Sequence, residues 1–123
     1  MGEILAVAAG GALGAVGRYL VGLMPVKGPF PVPTLLVNLA GAVLIGFVAG
    51  LSGRGALGGR GTLFWKTGVC GGFTTFSAFS LETWRFFEQG AYLRGGLYAL
   101  LSVALCLLGV AAGQWLSRGI PRA

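Results

Sequence analysis

Few side chains in this 123-residue sequence can carry acid, base or nucleophilic chemistry. Histidine is absent, and the acidic side chains are Glu3, Glu82 and Glu88. Cys70 and Cys106 lie in apolar stretches, where a thiol is ordinarily a small buried hydrophobe, and their spacing matches no metal-ligand or disulfide signature. General acid–base and metal catalysis thus lack actors, and no enzyme is expected. The polar groups that remain concentrate in residues 71–82, GGFTTFSAFSLE, which set two threonines, two serines and a glutamate among three phenylalanines. Such groups can coordinate ions without reacting with them.

In this segment Gly68, Gly71 and Gly72 precede Phe73-Thr74-Thr75. Glycine followed by β-branched residues forms helix weakly, so the spacing predicts a break there. Broken backbone at membrane depth is tolerated where it is buried in protein or lines a water-filled cavity, and its freed carbonyls can hold a cation. The alternative is a close-packing face whose threonines bond back to their own helix. Beyond the break, Phe76, Phe79 and Ser80 share one helical face. Ring edges are the positive end of the aromatic quadrupole and can face an anion, although packing phenylalanines are the commoner case in membrane helices. Glu82, one turn after Phe79, is either functional or paired with a basic residue or a helix end near the interface.

Other residues can join this segment. Asn38, with Thr34 one turn before it, carries a carboxamide that must face protein or a pore. Tyr98, Ser102 and Cys106 recur every fourth residue, as either a polar track or interhelical hydrogen bonds. Ala6, Gly10, Gly14 and Arg18 form a small-residue groove leading to a charge. Arg18 either snorkels to headgroups or makes a positive entrance.

The elements that must position these groups are membrane helices. With 55% hydrophobic and 10% charged residues, the chain departs from soluble domains, which carry about 25% charged. Each membrane span needs about 20 mostly apolar residues, and four fit as one domain over residues 1–123, at about 4–24, 34–51, 63–87 and 95–116. The N-terminus lacks the positive flank of a signal peptide and is expected to be the first span. The 24 glycines suit close helix packing in lipid. The net charge of +6 comes from basic residues scattered over span ends, which fits headgroup anchoring and not nucleic acid. Arg54, Arg60, Lys66, Arg118 and Arg122 fall on one side and Arg18, Lys27, Arg85 and Arg94 on the other. A bias this small predicts insertion in both directions, and an antiparallel homodimer follows as the simplest way to enclose a pathway.

Taken together, GALGAVGRYL around Arg18, TLLVNLAGAVLIG around Asn38 and GVCGGFTTFSAFSLE resemble the Fluc (CrcB) family of bacterial fluoride channels along essentially the whole chain. The resemblance implies an all-α membrane protein of four transmembrane helices per chain. Its third helix would be broken in mid-membrane, in an antiparallel dual-topology homodimer in the bacterial inner (plasma) membrane. It implies two pores through which cytoplasmic fluoride leaves by passive diffusion, conferring fluoride resistance. It also implies a central structural Na+ held by the backbone carbonyls of Gly71 and Thr74 from both copies. Asn38, Phe76 and Phe79 would line the pore, with Thr75, Ser77, Ser80, Tyr98 and Ser102 as a polar track and Glu82 as the family's acidic residue. Ala78 and Cys106 stand where relatives can carry hydroxyls, which thins that track. The rival reading is a proton-coupled exporter of the small multidrug resistance type, but those proteins use a carboxylate well inside the first span, whereas Glu3 lies at its extreme end.

Overall fold

The computed structural model describes residues 1–122, which are helical and contain no strand. Three helices, α1 (Gly2–Gly22), α2 (Val32–Gly53) and α6 (Tyr92–Ser117), are each long and apolar enough to cross a membrane. Between α2 and α6 the chain crosses in pieces. Helix α3 (Gly59–Thr62) runs into a π-helical stretch (Leu63–Cys70) and a last α-turn, α4 (Gly71–Phe73). Two extended residues follow, and α5 (Phe76–Glu88) completes the passage. Apart from these pieces, the observed helices start two or three residues before the sequence-predicted spans or end within two of them.

The interruption is where expected in sequence, but its cause differs. The glycines stay helical, Gly71 having φ −62° and ψ −38°. The threonines leave the helix, Thr74 at φ −83°, ψ 157° and Thr75 at φ −148°, ψ 111°, the extended region that β-branched residues favour. The π-helical geometry of residues 63–70 is a feature that hydrophobic periodicity does not reveal, because it changes the turn and not the residue types.

Glycine acts in this fold through the room it leaves. A Cβ at Gly10 would collide with the Phe64 carbonyl, one at Gly14 with the Val69 carbonyl, and one at Gly72 with the Gly11 carbonyl. The expected groove on α1 therefore receives the backbone of residues 64–72. In the same way Gly46 lies against Val110, and Gly113 against Val43, so α2 and α6 form a second tight pair. Gly41 on α2 meets the Thr74 methyl, which joins the two pairs at the break. Small residues set helix separation here because lipid provides no hydrophobic force between helices.

Both ends are tied down. Arg54, just after α2, donates from both terminal nitrogens to the Oγ and carbonyl of Ser117, closing the C-terminus of α6 with a positive charge. The Thr62 hydroxyl donates to the Gly58 carbonyl at 3.0 Å and accepts from the Ser52 hydroxyl at 3.0 Å. At the opposite end Gly28, at φ 92°, and Gly90, at φ 75°, turn the connections. Large apolar side chains such as Leu100, Leu107 and Trp115 point outward, as lipid-facing positions do.

Gly14→Ala is expected to lower stability by about 1–3 kcal/mol, because its methyl has only backbone to displace. Gly96→Ala, whose added Cβ meets nothing within 4 Å, is expected to melt at or above the parent temperature. Thermal unfolding in detergent checks both.

Candidate ion pathway at the broken helix

A helix interrupted at membrane depth must find partners for its freed amides and carbonyls. Here Asn38 supplies two. Its Oδ1 accepts from the Thr75 N–H at 2.7 Å, and its Nδ2 donates to the Thr75 carbonyl at 3.1 Å. Asn38 is held opposite Thr75 because Gly41, one turn further along α2, lets the break approach closely. Thr75 then caps the next helix, its Oγ1 accepting from the Ala78 N–H at 3.0 Å.

These bonds have a consequence for two carbonyls. In an unbroken helix Thr75 N–H would bond to the Gly71 carbonyl and Ala78 N–H to the Thr74 carbonyl. Both donors are diverted, the first to Asn38 and the second to the Thr75 hydroxyl. The carbonyls of Gly71 and Thr74 thus lose their ordinary helical donors. The Gly72 carbonyl between them accepts from Arg18 Nε at 3.2 Å, a charge placed on the C-terminal end of the first half-helix. Thr74 turns its hydroxyl back to the Cys70 carbonyl at 2.8 Å. The bond from Nε ties Arg18 to the break in addition to whatever its terminal nitrogens face.

Two clefts flank the break. One, of about 290 Å³, is lined by Asn38, Thr74, Thr75, Phe76, Phe79, Ser102 and Cys106, together with apolar residues of α2 and α6. Ser102 is 5% exposed and its Oγ has no hydrogen-bond partner among the described residues, so a buried hydroxyl remains available on the wall of this cleft. The other, of about 280 Å³, is lined by Arg18, Thr34, Thr75 and Ala78 with neighbouring residues of α1 and α2. Thr75 borders both.

Past the break, Phe76 and Phe79 lie with centroids 5.6 Å apart and planes tilted 51°, and Phe79 touches the Tyr98 ring at 5.3 Å. Tyr98 is fully buried and donates to Glu82 Oε2 at 3.2 Å. The other carboxylate oxygen accepts from Thr34 Oγ1 at 2.6 Å. Among the described residues Glu82 therefore pairs with two hydroxyls and no basic residue. Phe76 is 79% exposed on this chain.

The sequence-predicted residues fall into three groups. Asn38, Thr75, Phe76, Phe79 and Ser102 meet around one cleft. Tyr98 and Glu82 join the same series through Phe79. Ser77 and Ser80 are exposed and outside the cleft lining, Ser77 reaching Thr75 Oγ1 at 3.2 Å. Sequence reasoning misses Phe30, whose ring packs edge-on against Tyr98 at 5.4 Å, and Phe86, at 6.2 Å. The prolines flanking Phe30 are the one sequence signal that its position is constrained.

Asn38→Ala leaves two backbone groups of Thr75 unpaired and is expected to destabilise the protein by about 2 kcal/mol or more. Thermal unfolding reports the loss, and hydrogen exchange should localise it to residues 74–78.

Comparison with known proteins adds the following. Residues 5–114 match the family model described as CrcB-like protein, Camphor Resistance (CrcB). The chain is 46% identical to the fluoride-specific ion channel FluC of Roseobacter denitrificans, over 98% of each chain. It is 47% identical to the fluoride-specific ion channel FluC of Rhizobium meliloti, over 98% of this chain and 99% of that one. The protein of the same name from Methanococcus maripaludis is 48% identical over 87% of this chain and 88% of its own.

Proposed function

The chain belongs to the CrcB-like protein family, and on that premise we propose that it is a fluoride-selective ion channel, a transport protein and not an enzyme, through which cytoplasmic fluoride leaves a bacterial cell by passive diffusion. The observation that carries this reading is the cleft beside the break. Its wall combines the Asn38 amide, the buried Ser102 hydroxyl and the Phe76–Phe79 ring pair, with no basic side chain in its lining. Fluoride is small and a strong hydrogen-bond acceptor. Hydroxyl and amide donors can replace its water, and ring edges attract it without the full charge that would trap it. Thr75, Ser77, Ser80 and Tyr98 extend the proposed polar track toward Glu82.

Two antiparallel copies make the functional unit in this proposal. The near balance of basic residues between the two sides supports insertion in both directions. The exposure of Gly71 and of Phe76, at 79%, supports a partner over the break. Each pore would then be completed by both chains.

The fit of a structural sodium ion rests on the two carbonyls whose helical donors are diverted, those of Gly71 and Thr74. Among the described residues no group of three or more His, Cys, Asp or Glu could hold a metal, so the donors offered are neutral oxygens, which suit a hard cation of low charge. When bound, Na+ would supply positive charge that gathers the freed carbonyls at the break. Asn38, Thr75 and Arg18 hold the backbone in the shape that presents them.

Anion efflux from liposomes tests the function. Fluoride should leave far faster than chloride; equal rates, or no efflux of either from a folded dimer, would refute the reading. Phe79→Ile should lower fluoride flux by about tenfold or more, the change that ~1.4 kcal/mol at the barrier produces, with dimerisation kept. For the cation, exchange of sodium for N-methylglucamine should lower the melting temperature, and an unchanged value would remove Na+ from the proposal.

A further inference from the structure

The ring contacts do not end at Tyr98. Phe76, Phe79, Tyr98 and Phe30 form an unbroken series with centroid separations of 5.6, 5.3 and 5.4 Å, leading from the break toward the end of the membrane passage where α2 begins. Phe30 lies in the linker between α1 and α2, where its backbone carbonyl and its ring both have partners. Pro31, at φ −80° and ψ 70°, forms an inverse γ-turn in which the Val32 N–H donates to the Phe30 carbonyl at 2.9 Å. Pro29 fixes the other side, and a residue before proline is confined to extended backbone. The ring is thus presented by a preorganised turn.

What the turn presents it to is the Tyr98–Glu82 pair. Phe30 meets Tyr98 at an interplanar angle of 83°, the edge-to-face arrangement favoured by ring quadrupoles. Thr34, four residues on, donates to the carboxylate that accepts from Tyr98. One short segment, 30–34, therefore grips both members of the pair, the ring from one side and the carboxylate from the other. The Tyr98 hydroxyl has a single proton to donate, so it serves either Glu82 or another acceptor, never both.

We propose that Phe30 is a positioning residue for the anion route: it fixes the Tyr98 ring, and with it the hydrogen bond from the Tyr98 hydroxyl to Glu82 beside Phe79, and it closes the outer end of the aromatic series. The inference rests on the channel reading above. Phe30→Tyr keeps the ring and its edge, whereas Phe30→Leu keeps apolar volume and removes both.

Fluoride efflux from liposomes, with elution volume and melting temperature measured alongside, separates the possibilities. F30L should slow efflux by about fivefold, the scale of one aromatic pair felt at the barrier, and F30Y should restore it to near the parent rate. Should F30L melt early, Phe30→Met provides the ring-free variant for the same comparison. Equal efflux from the ring-free variant and the parent, or equal losses in it and F30Y, would overturn the role of Phe30 while leaving the channel reading intact. A parent protein that passes no fluoride would instead bring down the channel reading.

Discussion

One side chain makes the broken helix possible. Exposed amides and carbonyls cannot be left in a bilayer, and the Asn38 carboxamide satisfies the N–H and the C=O of the same extended residue, Thr75. That pairing withdraws the donor of Gly71, while the Thr75 hydroxyl withdraws the donor of Thr74. The residues that stabilise the break are thus the ones that leave its carbonyls available. Arg18 completes the arrangement from α1 by neutralising the Gly72 carbonyl between them.

Precision of this kind needs a rigid frame, and the glycine contacts supply it. Helix α1 lies against residues 64–72 and α2 against α6 at distances that admit no Cβ. The break sits where these two pairs meet, with the Thr74 methyl against Gly41. A shift of either pair would move Asn38 away from Thr75. The frame leaves Gly71 and Phe76 exposed at the surface of the chain.

Beyond the break, polar and aromatic groups alternate in space although they come from distant parts of the chain. Thr34, Glu82 and Tyr98 make one hydrogen-bonded unit, and Phe79 and Phe30 contact its aromatic member. Among the described residues this carboxylate is bonded to two hydroxyls and has no basic partner. One of those hydroxyls, that of Thr34, lies in the first turn of α2, so Glu82 is held at a helix end and not by an ion pair.

The sequence by itself determines an all-helical membrane chain with a weak point in its third passage, because apolar run length and the Gly-Phe-Thr-Thr composition are local properties. It also brings Asn38, Phe76, Phe79 and Ser102 forward, since polar groups in lipid and repeats of three or four residues are visible along the chain. Which atom breaks the helix, and whom each side chain serves, only tertiary structure decides. Asn38 bonding to Thr75, Arg18 to Gly72 and Phe30 packing edge-on against Tyr98 are contacts across 37, 54 and 68 positions, and no periodicity encodes them. Glycine teaches the same lesson: its low helix propensity marks the break in sequence, but Gly71 stays helical and Gly72 packs on α1. The adjacent threonines carry the extended backbone because Asn38 and the Ala78 amide are there to pair with Thr75.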